Sequence, residues 1–572
     1  MKKYKIISLA LTGSIILSAL LCGCGGKKTP QSGSSGTQTS VSASTQSADG
    51  SIKLPDDGGF TTVQYQFSDD KYKTYYEIFP YSFYDSNSDG IGDMNGIIQK
   101  LDYLNDGDPN TRTDLGVEGI WLMPIMESPS YHKYDVTDYM KVDEAYGTNE
   151  DFKKLLDEAH KRHIDVIIDL VINHTALKHE WYQKAIEELK AGKTDGYAQY
   201  YHFERNHTSG GWSKAGVDDW YYECQFYSGM PDLNLQNPKV REELQNVVKY
   251  WLDMGIDGFR LDAVWWYESE IGNDASIADL KWLYDYAKTI KSDVYMVGEC
   301  WKDTTTTLEF YKSGVDSFFN FFVQGATGKV NLSVNKKDAL GYVQYLEKWQ
   351  GQIRGNNPDA IDAQFLSNHD TARSAGYVRT LTKRRMNAAF YMLAPGNPFM
   401  YYGEEISMTG SQNDPEKRKG MYWSNTDMTG YVKRIPDNKN NSLPDQSVDE
   451  AQKDENSLLN FYKRAIALRH QNPEIARGTL KAVELGDKSA AGYVTEYNGS
   501  KVMVIFNASD KAAEVKVPKE TFEIKEVRGY LLAAIGSDEE IKETIPASYS
   551  DPLITVKDQT VKLPPYSAIV LK

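Results

Sequence analysis

The chain has 572 residues, enough at about 150 residues per domain for three or four folded units, which excludes any core-poor module held together by disulfides or zinc. Its 64 Lys and Arg against 80 Asp and Glu leave a formal charge of −16, the wrong sign for a protein that neutralises phosphates, so nucleic acid is not an expected partner. Four cysteines are too few for a disulfide framework, and an aromatic content of 12%, with 39 Tyr and 11 Trp, suits either a large core or a neutral ligand that stacks on rings.

In chain order, Lys2, Lys3 and Lys5 precede an apolar run from Ile6 to Leu21, too short for a comfortable membrane span and right for an export signal. The run ends Leu21-Cys22-Gly23-Cys24, which resembles the bacterial lipoprotein signal. That resemblance implies cleavage after residue 23 and lipid on Cys24, hence an extracellular protein anchored to the cell membrane. Residues 24–60 are mostly Gly, Ser, Thr and Gln at first and are expected to be a disordered tether. Residues 1–50 carry five lysines against Asp49, a net +4, so the remainder carries −20.

From Tyr75 onward short β-rich runs alternate with amphipathic helices. Strands are expected at 76–79, 119–122, 166–171, 258–261, 294–297, 317–319, 364–366 and 399–401, with helices at 149–162, 240–254, 277–290 and 383–393. Eight strands with crossovers predict an α/β fold, a (β/α)8 TIM barrel over 61–174 and 238–480. An aromatic-rich insertion, 175–237, follows the third strand, and alternating runs in 481–572 predict a C-terminal antiparallel β-sandwich. An open doubly wound sheet is the rival architecture.

After the first strand, Asp85-Ser86-Asn87-Ser88-Asp89-Gly90-Ile91-Gly92-Asp93 sets oxygen donors at alternate positions, as a hard cation requires; the alternative is a metal-free Asp-rich turn. Polar residues then cluster just past strand ends: Asp169 with Asn173-His174, Arg260-Leu261-Asp262, Glu299, and Asn368-His369-Asp370. In a barrel these ends share one mouth, and carboxylates gathered there with histidines and an arginine point to catalysis.

These segments, in this order, together with Met230-Pro231-Asp232-Leu233-Asn234, resemble the ordered regions of the α-amylase family, glycoside hydrolase family 13, over about residues 70–572. The resemblance implies Asp262 as nucleophile, Glu299 as acid/base and Asp370 as transition-state stabiliser. It implies that His132, Tyr134, His174, Arg260 and His369 hold the sugar or the nucleophile. It also implies a structural Ca2+ on Asp85, Asn87, Asp89, Asp93 and the Ile91 carbonyl. The Lys-His pair that often follows the nucleophile is replaced by Ala263-Val264-Trp265-Trp266, which puts a second calcium in doubt and implies a leaving-group subsite made of rings. Met230 to Asn234 resembles the intermediate group between oligo-1,6-glucosidases and neopullulanases. The expected function is retaining hydrolysis of internal α-1,4 bonds in starch and maltooligosaccharides, by a monomer. The rivals are an α-glucosidase or oligo-1,6-glucosidase, a 4-α-glucanotransferase, and a non-catalytic glucan-binding surface lipoprotein.

Overall fold

The computed structural model describes residues 49–61, 66–207, 210–268, 271–411, 413–436, 442–536 and 553–572. The export signal, Cys24 and the first part of the tether lie outside them. Eight parallel strands form the central sheet: β1 (Tyr75–Ile78), β2 (Gly119–Leu122), β3 (Asp165–Leu170), β4 (Gly258–Leu261), β5 (Tyr295–Gly298), β6 (Ser317–Phe318), β7 (Ala363–Phe365) and β8 (Asn397–Tyr401). Their order is β6-β5-β4-β3-β2-β1-β8-β7, and a parallel bridge between Phe319 and Ala363 joins the two ends. The sheet is therefore a closed barrel. β3 begins one residue earlier than expected, because the amide of Asp165 reaches the Glu118 carbonyl and backbone pairing is indifferent to a polar side chain.

The helices start where their sequences provide caps. Asn149–His160 opens on a capping box of Thr148 and Asp151. Pro238–Met254 opens on Asn237 with proline at the first turn, and stops at Gly255 in the left-handed region (φ 112°).

Alternate strand residues point into the barrel. At its lower end Tyr75, Trp121, Ile167, Tyr295, Val297, Phe365 and Phe399 form a closed apolar cluster. The next inward positions along the strands are Glu77, Asp169 and Arg260. A barrel floored with rings and ringed above with charge has its chemistry at the C-terminal mouth.

The insertion holds a helix (Glu180–Lys190) and a three-stranded sheet of 203–205, 220–223 and 212–214. It is tied to the barrel by the bridge His174–Asp232, and the bridge Tyr201–Leu233 closes it internally. The C-terminal region places a five-stranded antiparallel sheet beginning at Thr479 next to a three-stranded one. Cys224 and Cys300 are buried free thiols.

The expected tether ends early. Ser51 bridges Lys557, the Ile52 amide donates to the Val556 carbonyl at 2.9 Å, and Ile52 is buried in the C-terminal core. Residues 51–60 are thus part of the folded body, because Ile52 and Leu54 find an apolar edge there. Ile52→Ala is expected to cost about 2 to 3 kcal/mol in denaturant unfolding of the C-terminal region; an unchanged midpoint would show the contact to be idle.

Just past β8 a buried glutamate fastens three elements. Glu404 accepts from Tyr391 (2.8 Å), Tyr462 (2.6 Å) and Ser367 (2.9 Å). Burial pushes its carboxyl up to about 7 from the usual 4.5. The folded chain therefore binds more protons than the unfolded one between those values, so this group's contribution to stability falls as pH rises from about 4.5 to about 7. Glu404→Gln should flatten the pH dependence of Tm over that window. An unchanged slope would rule the group out.

Candidate active site

Arg260 is the hub of the site. It is fully buried, and parallel register sets it opposite Asp169 on β3 and Val297 on β5. Its Nη1 donates to Asp169 Oδ1 at 2.8 Å and to Asp262 Oδ1 at 2.5 Å. Its Nη2 stands 2.7 Å from Glu299 Oε2, yet out of line for a hydrogen bond. The cation thus fixes Asp262 in direction and acts on Glu299 by charge alone. A second tie to Glu299 is the Ala263 amide, 3.2 Å from Oε2. Ala263 adopts a left-handed conformation (φ 48°, ψ 39°), which a small side chain tolerates at a cost of about 1 kcal/mol.

The carboxyls differ in character. Burial pushes Glu299 above the usual range; Arg260 opposes this, and the charges of Asp262 and Asp370 add to it. Burial would also raise Asp370, but His369 and Arg418 outweigh it and hold that group well below the ordinary carboxylate range. Arg418 Nη2 donates to Asp370 Oδ1 at 2.8 Å, and His369 Nε2 lies 2.9 Å from Oδ2. A site with one carboxyl biased toward its acid form and another toward its anion is the arrangement acid-assisted bond cleavage requires.

His369 Nδ1 meets Glu77 Oε1 at 2.6 Å. Burial disfavours its cation, but Asp370 and Glu77 raise its pKa to about 9. A doubly protonated ring donates at both nitrogens, so Tyr134 Oη, 2.7 Å from Nε2, accepts there and donates to Asp169 Oδ2 at 3.1 Å. The Tyr134 ring stacks on His369, with centroids 5.6 Å apart and planes 20° apart. Burial lifts Asp169 to about 7 against the pull of Arg260.

Tyr134 and His132 stand on a loop within a hairpin of Met126–Glu127 and Asp138–Val142, two strands absent from the expected set. Ser128 Oγ bonds Asp135 (2.8 Å), and Lys133, at φ 65°, bonds Asp143 (2.8 Å). His132 Nδ1 accepts from the Tyr134 amide at 3.1 Å. His174 is buried, with Nε2 3.2 Å from the Tyr134 carbonyl. It therefore braces the tyrosine loop as well as facing the mouth.

The chain is similar to known proteins over most of its length. The family description "Alpha amylase, catalytic domain" matches residues 77–478. The chain belongs to the α-amylase family. Alpha-amylase 3 of Dictyoglomus thermophilum is 38% identical over 461 residues, spanning 78% of this chain and 87% of that protein. The oligo-1,6-glucosidase of Parageobacillus thermoglucosidasius is 29% identical over 529 residues, spanning 77% and 91%. Among solved structures, Eubacterium rectale Amy13B superposes with a TM-score of 0.81 at 40% identity, covering 90% of this chain and 97% of that one. The α-amylase from H. orenii gives 0.75 at 36%, covering 88% and 99%. The protein is an α-amylase family glycoside hydrolase.

Two residues of this α-amylase family site lie outside the set expected from the motifs. Arg418 anchors Asp370, and Glu77 anchors His369; a charge inside the fully buried strand Tyr75-Tyr76-Glu77-Ile78 was the available signal. The Asp85 loop keeps the expected run of oxygen donors. Its donors have the chemistry of a hard-cation site, but Asp85 accepts from the amides of Ser88 and Gly90, both at 2.7 Å. Asp93 accepts from Ser86 and caps a helix at Gly96, and Asn87 and Asp89 accept from the Asp89 and Ile91 amides. Among the described residues no three acidic or histidine side chains gather into a metal-ligand cluster. The loop is closed by its own turns, and its oxygens are of the kind that would hold a hard cation.

Proposed function

We propose that this α-amylase family member hydrolyses internal α-1,4 bonds of starch and maltooligosaccharides with retention. The observation that carries the reading is the single buried guanidinium that aligns Asp262 while leaving Glu299 free to move its proton. In this reading a glucosyl ring stacks on Tyr134, and Asp262 attacks its anomeric carbon. Glu299 gives its proton to the departing oxygen, and Asp370 faces the oxocarbenium-like charge. Water then enters, Glu299 takes its proton, and the Asp262 ester is cleaved. Relatives named α-amylase support the α-1,4 preference, and those named oligo-1,6-glucosidase make α-1,6 bonds the second reading. A product time course on amylose, pullulan, panose and maltotriose tests this. Mixed maltooligosaccharides early from amylose are expected; glucose alone would overturn endo action.

The proposal extends to location and metal. The apolar run and Cys24 support export and lipid anchoring, and among the described residues no helix is long and apolar enough to cross a membrane. Cys24→Ser should move the protein from the membrane fraction to the medium; unchanged partition would sink the anchor. The oxygen-only donor set at Asp85 to Asp93 supports a structural calcium ion. Titrating calcium into chelator-treated protein should release heat and raise Tm, and neither change would dismiss the site.

A further inference from the structure

Three positions past Asp370 stands a buried cation outside the reaction proposed above. Arg373 is 1% exposed, and none of the ion pairs among the described residues includes it. A buried charge without a carboxylate partner is costly. What offsets the cost here is contact with rings and carbonyls. The guanidinium lies over Tyr401 (4.2 Å) and Tyr402 (4.6 Å) at the end of β8. Its Nε donates to the Lys417 carbonyl and its Nη1 to the Tyr402 carbonyl, both at 2.6 Å. The Arg373 amide donates to the Gly410 carbonyl at 2.9 Å. One planar fork thus joins the two ends of the loop that follows β8, a reach that the fixed geometry of a guanidinium provides.

The far end of that loop carries the two cations that hold Asp370. Arg418 Nη2 donates to Asp370 Oδ1 at 2.8 Å, and its Nε donates to the His369 carbonyl at 3.2 Å. Lys417 Nζ donates to the Asp370 carbonyl at 2.8 Å. The backbone beneath these side chains is pinned at three consecutive carbonyls. That of Lys417 accepts from Arg373 and, at 3.2 Å, from Tyr401 Oη. That of Arg418 accepts from Ser82 Oγ, and that of Lys419 from Tyr402 Oη, both at 2.6 Å. The turn 370–373 and the strip 417–419 therefore grip each other: Arg373 reaches out to the strip, and Lys417 and Arg418 reach back to the turn. A long side chain keeps one geometry only where its own backbone is held, because free rotamers cost entropy to fix.

We propose that Arg373 is a positioning residue of the reaction: it fixes the backbone at Lys417 so that Arg418 presents its guanidinium to Asp370 and keeps that carboxylate aimed at the sugar. The inference rests on the reaction proposed above. Arg373 itself touches neither sugar nor reacting atoms, and its effect passes through Arg418. Substrate in its ground state gains little from an exactly placed Asp370. The transition state, in which positive charge develops opposite that carboxylate, depends on it. Loss of Arg373 is therefore read in kcat more than in KM.

The test is a double-mutant cycle on maltopentaose hydrolysis, with a thermal melt of each protein. Arg373→Lys keeps the charge and the length but not the fork. Its kcat should fall roughly thirtyfold, about 2 kcal/mol of transition-state stabilisation, while KM stays within about threefold. Arg418→Lys should lose at least as much. The two together should lose no more than Arg418→Lys alone, because the path from Arg373 ends at Arg418. Ser82→Ala and Tyr402→Phe loosen the neighbouring carbonyls and should each lower kcat about threefold with Tm near the parent's, so they decide the matter if Arg373→Lys folds poorly. Losses that multiply in the double variant, or a kcat unchanged in Arg373→Lys or in both milder variants, would overturn the positioning role. No hydrolysis of maltopentaose by the unaltered protein would instead overturn the reaction on which it rests.

Discussion

Asp262→Asn is expected to lower kcat on maltooligosaccharides by roughly four to six orders of magnitude, with the fold retained. The amide keeps the shape of the carboxylate and one acceptor oxygen for Arg260 Nη1, but it cannot form the glycosyl ester. Tm should therefore move little compared with the loss of turnover. The measurement is reducing-sugar release beside a thermal melt. Activity within a factor of ten of the parent would remove Asp262 from the centre of the reaction, and a collapsed Tm would mean that the carboxylate serves chiefly to neutralise Arg260.

The second large effect is on stability. Arg260→Met should cost about 3 to 5 kcal/mol near neutral pH, the usual consequence of leaving buried charges without their partner. The loss should depend on pH in a definite sense. Burial already pushes Asp169 and Glu299 up, and removing the cation that opposes this pushes them further. Groups with raised folded values favour the folded state while protonated and disfavour it as pH climbs past the unfolded value. The gap between variant and parent should thus be small below about pH 4 and widen toward neutrality. Denaturant unfolding across pH 4 to 8 reads this directly. A constant gap would mean that the arginine acts through packing over Trp121, which its guanidinium overlies at 5.3 Å, rather than through charge.

Much of this was readable from the chain. The strand ends carrying Asp169, Arg260, Glu299 and Asp370 are marked by short apolar runs that stop at a polar residue, and period-two alternation already places Arg260 and Asp262 on one face. What escaped depends on closure of the barrel. Glu77 and His369 meet at 2.6 Å across a separation of 292 positions, and neither neighbourhood announces the other. Arg418 follows a four-residue helix with no periodic signal, and its partner lies 48 positions back. The hairpin around Tyr134 was missed because its first strand is only two residues long. At the Asp85 loop the alternating oxygens were plain in the sequence, and the same spacing also satisfies the string of side-chain-to-amide turns seen there. Ile52 failed as a strand signal because two apolar residues are too few to show a period, and its partner Val556 is at the far end of the chain.

That last contact has a mechanical meaning. Any pull transmitted from residues before Asp49 enters the body at Ser51 and Ile52, which are clipped to the strand Thr555–Lys557, well ahead of β1. Under the anchoring proposed above, the clip would act as strain relief, passing load into the C-terminal sheet pair ahead of the catalytic barrel.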